Sequence, residues 1–549
     1  MAVVTATIKS EGRAIDPVFE VLAIDILRAV NRIPRAQLTF IDGDAAKGTF
    51  PISSAAAFVP GHSVEVLLRY EGQPEDSVFK GHVTRHSIEG GAAGATLVVD
   101  LKDKAQKMTT GRKTKVHGPR KTDTKILSDM INAAGLTTKT VDASQATHDE
   151  ILQYNATDWD FLITRADVSA RLVVVDDGTI ALRKMEPTGQ PKHKIEYGIS
   201  DVFGFDMALD AADQTAATTV TAWDAKTLKP TAPERAKDVK SAMGNLDMAT
   251  IAGKLGVKET TLNNPIPMTE AEIKSWGDAR QTRQRLAMMR GRISVAGDAK
   301  YKLLDGVELA RFGDRFRGEC VITSLRHRVT PDGWQTDLEF GLTPERHARA
   351  PDISEVPAAG LLPAVNGLQI GIAGAFKEDE SGEFRVQVML PAIDPNDPSG
   401  GLVWARLASP DAGKDRGFFF RPEPGDEVVV GFFNDDPRQA VVLGAMFGSV
   451  NTLPKGVSPP SEENQERVMV SRAGSSIGFL DEEKPTVFIE TPAGNKVAFS
   501  DDLEMTQISD QHGNTITMSK DGIEMKSIKD VKISASGNVE ISGSKVNMK

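Results

Sequence analysis

Cysteine is nearly absent: Cys320 is the only one in 549 residues, which excludes an intrachain disulfide framework and a cysteine-cluster zinc site. Tyrosine and tryptophan are scarce, at 4 and 5. Positive net charge is missing too: the chain carries −11, which argues against nucleic acid as a partner, because neutralising phosphates takes clustered Lys and Arg. No apolar run approaches the roughly 18 residues that a membrane span needs. The opening Met1-Ala-Val-Val-Thr-Ala-Thr-Ile-Lys9 lacks the charged-then-apolar order of a signal peptide, so synthesis in the cytoplasm without a signal peptide is expected. What is present is ordinary for packed domains: 40% hydrophobic and 26% charged residues, with 48 glycines. At about 150 residues per domain, the length predicts three or four domains.

Residues 1–355 mix strands and helices. Val64–Tyr70, Ser77–Val83 and Thr96–Leu101 read as strands. Thr122 and Asp123 are N-cap candidates for a helix with Ile126, Leu127, Met130 and Ile131 on one face, stopping near Gly135. Thr157 precedes a second helix containing Phe161, Leu162 and Ala166, and a strand follows at Arg171–Asp176. Residues 225–268 are rich in Lys, Ala and Pro with little strand signal, and read as an excursion with short helical pieces. Thr269-Glu-Ala-Glu272 is a capping box opening a helix to about Arg290. Strands return at Gly291–Val295, Val307–Ala310, Glu319–Ser324 and Gln335–Phe340. Two strand-rich halves therefore flank a helical middle.

The Pro357–Pro363 linker leads into five strand-like runs beginning near Leu368, Phe384, Leu402, Glu427 and Ala440. Five short strands at that density fit an OB-fold barrel. After the linker Asn451–Pro460, apolar pairs at i, i+2 recur: Val468/Val470, Ile477/Phe479, Val487/Ile489 and Val497/Phe499, at steps of nine, ten and ten. Past a break come Ile516/Met518, Ile523/Met525, Val531/Ile533, Val539/Ile541 and Val546/Met548, at steps of seven, eight, eight and seven. Gly494-Asn495, Gly513-Asn514, Asp521-Gly522 and Gly537-Asn538 punctuate them. This is the pattern of a β-solenoid or β-helix.

A strand with two inward side chains cannot bury its apolar face alone, and an eight-residue repeat is too short for one chain to wrap a three-sided coil. Three intertwined chains solve this, with copies of each inward pair meeting near a threefold axis. At about 4.8 Å between strands, roughly ten layers make a rod of about 50 Å. An ordinary monomeric sandwich is the alternative; it predicts longer strands and less regular spacing.

No segment offers a catalytic constellation. His82 and His86 have a spacing that suits zinc only on a helix; on a strand they stand about 13 Å apart, so a packing or surface role is expected. Asn434-Asp-Asp-Pro437 reads as a turn, although it offers paired carboxylates. Gly90–Gly94 reads as a hairpin turn, and Cys320 as a buried structural thiol. The basic run Gly111–Lys121 lacks flanking aromatics; a solvated loop and a contact with an acidic neighbour both remain open.

In the order of its parts the chain resembles VgrG and the fused hub–spike proteins of contractile phage tails and phage-tail-like injection systems. Three segments carry the resemblance. They are Leu152-Gln-Tyr-Asn-Ala-Thr-Asp-Trp-Asp-Phe-Leu-Ile-Thr-Arg-Ala166 with the strand after it, Gly425-Asp-Glu-Val-Val-Val-Gly-Phe-Phe-Asn-Asp-Asp-Pro-Arg-Gln-Ala-Val-Val-Leu-Gly-Ala445, and the C-terminal repeat. The resemblance implies a mainly β protein. Its α+β hub (residues 1–355) would hold two barrels with helical insertions, followed by an OB-fold barrel (364–450) and an intertwined triple-stranded β-helix needle (466–549).

It further implies a homotrimer whose six hub barrels dock a hexameric inner tube, baseplate partners, a PAAR-like tip protein, and transient contact with a target membrane. No nucleic acid, metal or cofactor is implied. The expected needle core is Val487, Ile489, Val497, Phe499, Ile516, Met518, Ile523, Met525, Val531, Ile533, Val539, Ile541, Val546 and Met548. Val546, Asn547, Met548 and Lys549 would dock the tip protein. Some relatives insert a lysozyme domain between barrel and needle or add a toxin after it. Here only about twenty residues separate Gly448 from Val468, too few for an enzyme domain, and the sequence given stops after the last repeat. A non-enzymatic spike within a tail-like particle is therefore expected, whether of a phage tail, a type VI secretion system or an extracellular injection particle. A tail-associated cell-wall hydrolase and a glycan-binding adhesin are the alternatives.

Overall fold

The computed structural model describes residues 3–92, 94–390, 392, 401–455, 457–459 and 461–548. The chain divides into two compact units, Met1–Glu355 and Val356–Lys549.

Strands from both ends of the first unit share one thirteen-stranded sheet. It runs from Val202–Leu209 through Met289–Ala296, Gly333–Phe340, Gly318–Thr330, Val21–Ala29, Arg35–Ile41, Gly94–Lys102, Asp76–Gly91 and Ser63–Tyr70 to Val4–Ser10 and Arg13–Ala14. The joint is the antiparallel pairing of Val21–Ala29 with Gly318–Thr330, in which Ile26 faces His327 and Asp25 faces Arg328. Arg326 grips Asp25 across it, with Nε 2.9 Å from Oδ1. Each half has a core, and Ala299 and Trp334 of the second half help close the first. The first holds Ile24, Ile26, Leu38, Phe40, Phe58 and Leu97; the second holds Ile195, Met288, Ile293, Leu309, Ile322 and Phe340. Ile24, Ile26 and Arg28 are buried on one face of their strand, because successive side chains leave on opposite faces.

Between the halves lies a subdomain with a separate core built on two helices. In α1 (Asp123–Ala133) Thr122 accepts from the Lys125 amide, and in α2 (Asp158–Val168) Thr157 accepts from that of Asp160. Both caps lie where the sequence places them, and Gly135 ends the first helix with φ +66°. Ile126, Leu127, Ile131, Leu162 and Ala166 meet strands Arg171–Asp176 and Thr179–Lys184. Residues 225–268 hold more strand than their composition suggests. Besides α3 (Met248–Lys254), Glu259–Asn264 pairs in parallel with Ala217–Asp224. A Thr-rich strand beside a parallel partner has neither a hairpin turn nor strong alternation to reveal it. The capping box at Thr269 and Glu272 is present and starts α4 (Glu270–Met288). Arg283 of α4 forms a buried ion pair with Asp167 of α2. Asp167 also accepts from the His347 amide at 3.0 Å.

In the second unit five strands close a barrel: β1 (Gln369–Ala373), β2 (Val386–Met389), β3 (Val403–Leu407), β4 (Glu427–Phe432) and β5 (Ala440–Ala445). Val388, Ala405, Val428, Val430 and Ala440 fill it. Seven more strands follow as an antiparallel meander: β6 (Glu466–Val470), β7 (Ser476–Leu480), β8 (Thr486–Glu490), β9 (Lys496–Ser500), β10 (Met505–Ser509), β11 (Thr515–Ser519) and β12 (Gly522–Lys526).

The remaining sequence candidates resolve as structural. His86 bridges Ser53 Oγ (2.8 Å) and the Phe58 carbonyl (3.0 Å), clamping a loop to its strand. The basic run is not a solvated loop: Lys113–His117 is a strand paired with Ile151–Ala156. Arg112 reaches Asp352 at 2.7 Å, Lys113 reaches Asp158 at 2.5 Å and Lys121 reaches Asp129 at 2.9 Å. Burial pushes the Cys320 thiol up to about 12, which makes it unreactive.

Candidate assembly interface

The meander is built so that one face is apolar. Cross-strand neighbours in an antiparallel sheet lie on the same face, and the register aligns Met469, Ile477, Ile489, Val497, Ile508, Ile516 and Met525 in one row. Phe479, Val487, Phe499, Thr506, Met518 and Ile523 form the adjacent row. Val487, Ile489, Val497, Phe499, Ile516, Met518, Ile523 and Met525 thus share a face, as their spacing suggests. Two details differ from the sequence reading. Val468 and Val470 are out of phase: Arg467 and Met469 oppose Phe479 and Ile477, while Val468 opposes Gly478. The gap between Phe499 and Ile516 is no break, because β10 supplies Thr506 and Ile508 at the same depth. A threonine in place of one apolar residue hid this rung.

The opposite face is polar and locally anchored. Thr486 and Ser500 hydroxyls lie 3.0 Å apart. Phe488 lies flat over Gly478, where a Cβ would come within 2.4 Å of its ring, and Lys496 sits 5.3 Å above that ring. The turns are fixed by chemistry that the sequence announced. Gly494 and Gly513 adopt φ of +89° and +94°, open to glycine at no steric cost. Asn514 donates to Asp510 at 2.7 Å, and this side-chain bond together with backbone N–H donors holds the Asp510 carboxyl below its ordinary range.

Among the described residues the apolar rows stay largely open. Ile489 is 52% exposed, Phe499 54%, Ile523 72% and Met525 64%. Beyond β12, Val531, Ile533, Val539, Ile541, Val546 and Met548 are exposed as well and belong to no strand of the single chain. Asn547 is likewise exposed, and Lys549 lies outside the described residues. Among the described residues no cluster of three or more His, Cys, Asp or Glu could hold a metal ion, and no helix is long and apolar enough to cross a membrane.

Comparison with known proteins gives this architecture a class. Residues 370–447, the closed barrel, match the type VI secretion system/phage-baseplate injector OB domain. Over 117 residues the chain is 33% identical to the type VI secretion system spike protein VgrG5 of Pseudomonas aeruginosa, and over 123 residues 24% identical to VgrG1b of the same organism. These stretches cover 21% and 22% of this chain but only 14% and 16% of those relatives. A tail protein from Neisseria meningitidis aligns with 63% of this chain and 99% of its own, at 13% identity and a TM-score of 0.45. The protein is VgrG-like. Through residues 1–331, which match the Alg8 N-terminal domain model, it belongs to the family that model defines.

Proposed function

We propose that three copies of this chain assemble into the structural spike of a contractile injection machine. The hub adapts a hexameric inner tube to threefold symmetry, and the C-terminal region forms the puncturing tip. The observation that carries this reading is the double apolar row on one face of the meander. Hydrophobic side chains contribute about 1.5–3 kcal/mol each when fully buried, and twelve of them on one face over seven rungs are more than a soluble sheet leaves in water without a partner. Identical faces turned toward a common axis cover one another, and the repeats beyond β12 continue the same pairs along it. A closed threefold arrangement suits a cap on a six-membered ring, since two strand-rich halves per chain give six similar surfaces.

Such a part transmits force and performs no chemistry. Stiffness comes from the continuous hydrogen-bond ladder and a dry core. Its setting is a tail-like particle, with baseplate proteins around the hub, a PAAR-like tip protein on Val546–Lys549, and a target membrane met only in passing. The deciding measurement is the mass of the purified full chain in solution. Three chain masses, persisting in mild denaturant, are expected; a stable monomer overturns the reading.

A further inference from the structure

One surface of the barrel is left unexplained by the apolar rows. Phe376, Phe384 and Arg421 border a recess of ≈ 410 Å³ at the end of β1, beside the start of β2. Phe376 is 53% and Phe384 76% exposed. The Arg421 guanidinium lies 5.7 Å over the Phe376 ring and 5.2 Å over that of Phe419. Gln387 also lines the recess, and its side-chain carbonyl oxygen is buried without a hydrogen-bond partner. A recess with aromatic walls, a cation and an orphaned acceptor fits an occupant that brings an apolar ring, a carboxylate and an N–H donor together.

The other end of the same barrel presents that combination. After β4 the chain makes a tight turn, Phe433–Asp435, in which Asn434 and Asp435 both have left-handed backbones, φ 54° and 55°. Two consecutive non-glycine residues in that region are strained and persist only where the surroundings enforce them. Here the Val365 amide donates to the Asp435 carbonyl at 2.9 Å. The neighbouring Asp436 carboxylate is held by Arg438 at 2.5 Å. The turn holds Phe433 outward, 54% exposed, with the Asn434 amide and the Asp435 carboxylate beside it. The recess adjoins Ala373 at the far end of β1, whereas the turn adjoins the start of β1, as the register Gln369–Val430 and Ile372–Glu427 requires. One barrel therefore cannot fill its own recess.

We propose that the Phe433–Asp435 turn of one copy seats in the Phe376/Phe384/Arg421 recess of the next. Phe433 meets the aromatic walls, Asp435 meets Arg421, and Asn434 donates to Gln387. Knob and hole on different parts of one subunit make a head-to-tail contact, which closes into a ring when the rotation is one third of a turn. The proposal rests on the threefold reading above. It is continuous with the meander's interface, since Arg472 in the first meander turn donates to Glu423, two residues beyond Arg421, at 2.9 Å.

The test uses the full chain, whose only native thiol, Cys320, is buried. Arg421→Cys and Asp435→Cys are combined, treated with a short bismaleimide, and run on a denaturing gel beside each single variant. Covalent trimers in the double variant alone are expected. In a second arm, Arg421→Glu lowers the denaturant midpoint of trimer dissociation, and adding Asp435→Arg restores it. A trimeric mass without cross-linked species overturns the contact and leaves the threefold reading standing. Covalent species that stop at dimers overturn ring closure, and a monomeric mass overturns both.

Discussion

The first unit, the proposed hub, and the meander are both sheets of many strands, but they dispose of their apolar side chains in opposite ways. Along Val21–Ala29 of the hub, Ile24 and Ile26 are 1% and 0% exposed, covered by elements of the same chain. Along β8 and β9 of the meander, residues of the same type at the same spacing stand half in water. The hub obtains its cover by folding sequence-distant strands together and by inserting helices with cores of their own. The meander has only short turns between neighbouring strands, and among the described residues its apolar rows stay open. Equal periodicity therefore does not mean equal self-sufficiency: connection length decides whether a face is finished within the chain or between chains.

The sharpest way to break this contrast is a charge in the rows. In the proposed trimer, Val497→Asp or Ile533→Asp would place three unpaired carboxylates near one axis, each uncompensated buried charge costing several kcal/mol. Loss of the trimer in mass measurements is expected, with the hub's own unfolding transition unmoved. An unchanged trimer contradicts the inward register.

The reverse perturbation belongs in the hub. Asp167→Ala strands the buried Arg283 guanidinium and is expected to cost about 3–5 kcal/mol, seen as a lower hub melting temperature with oligomeric state retained. Acid separates the two regions next. Burial, with help from Arg28 and Lys302, lowers His327 to about 3. The unfolded chain then binds a proton that the folded hub does not. The contribution is complete above pH 6.5 and is lost as pH falls toward 3, amounting to ~2 kcal/mol at pH 5. Differential scanning calorimetry at pH 7 and pH 5 should show a hub transition that drops with acid, and His327→Gln should reduce the drop. The smallest effect is expected from Thr269→Ala, which removes the capping box of α4 for about 1 kcal/mol and alters no intersubunit property.

Local signals were legible in the sequence wherever chemistry is local. Thr122, Thr157 and the Thr269/Glu272 box mark helix starts because an orphan amide needs an acceptor within three residues. The five barrel strands and the glycine-punctuated pairs were equally plain. Three features were not. The joint between Val21–Ala29 and Gly318–Thr330 has no local signature, since pairing across some three hundred residues leaves no mark in either strand. The basic run looked like a free loop because its acidic partners Asp158 and Asp352 lie far along the chain. At the barrel, Asn434-Asp-Asp-Pro437 is legible as a turn, but a recess assembled from residues 373–387 and 421–422 leaves no mark in local spacing.

The hub's joint also sets a timetable for synthesis. Strand Val21–Ala29 gains its second neighbour only through residues 324–329, so on the ribosome it waits as an open edge for most of the hub's translation. The α1–α2 subdomain, whose core draws mainly on residues 105–182, can condense long before that. Because the meander follows the hub in sequence, its apolar face is exposed only once every strand of the hub sheet has been made. The order of segments along the chain thereby works as a delay line, holding back encounters between copies until each copy is ready for them.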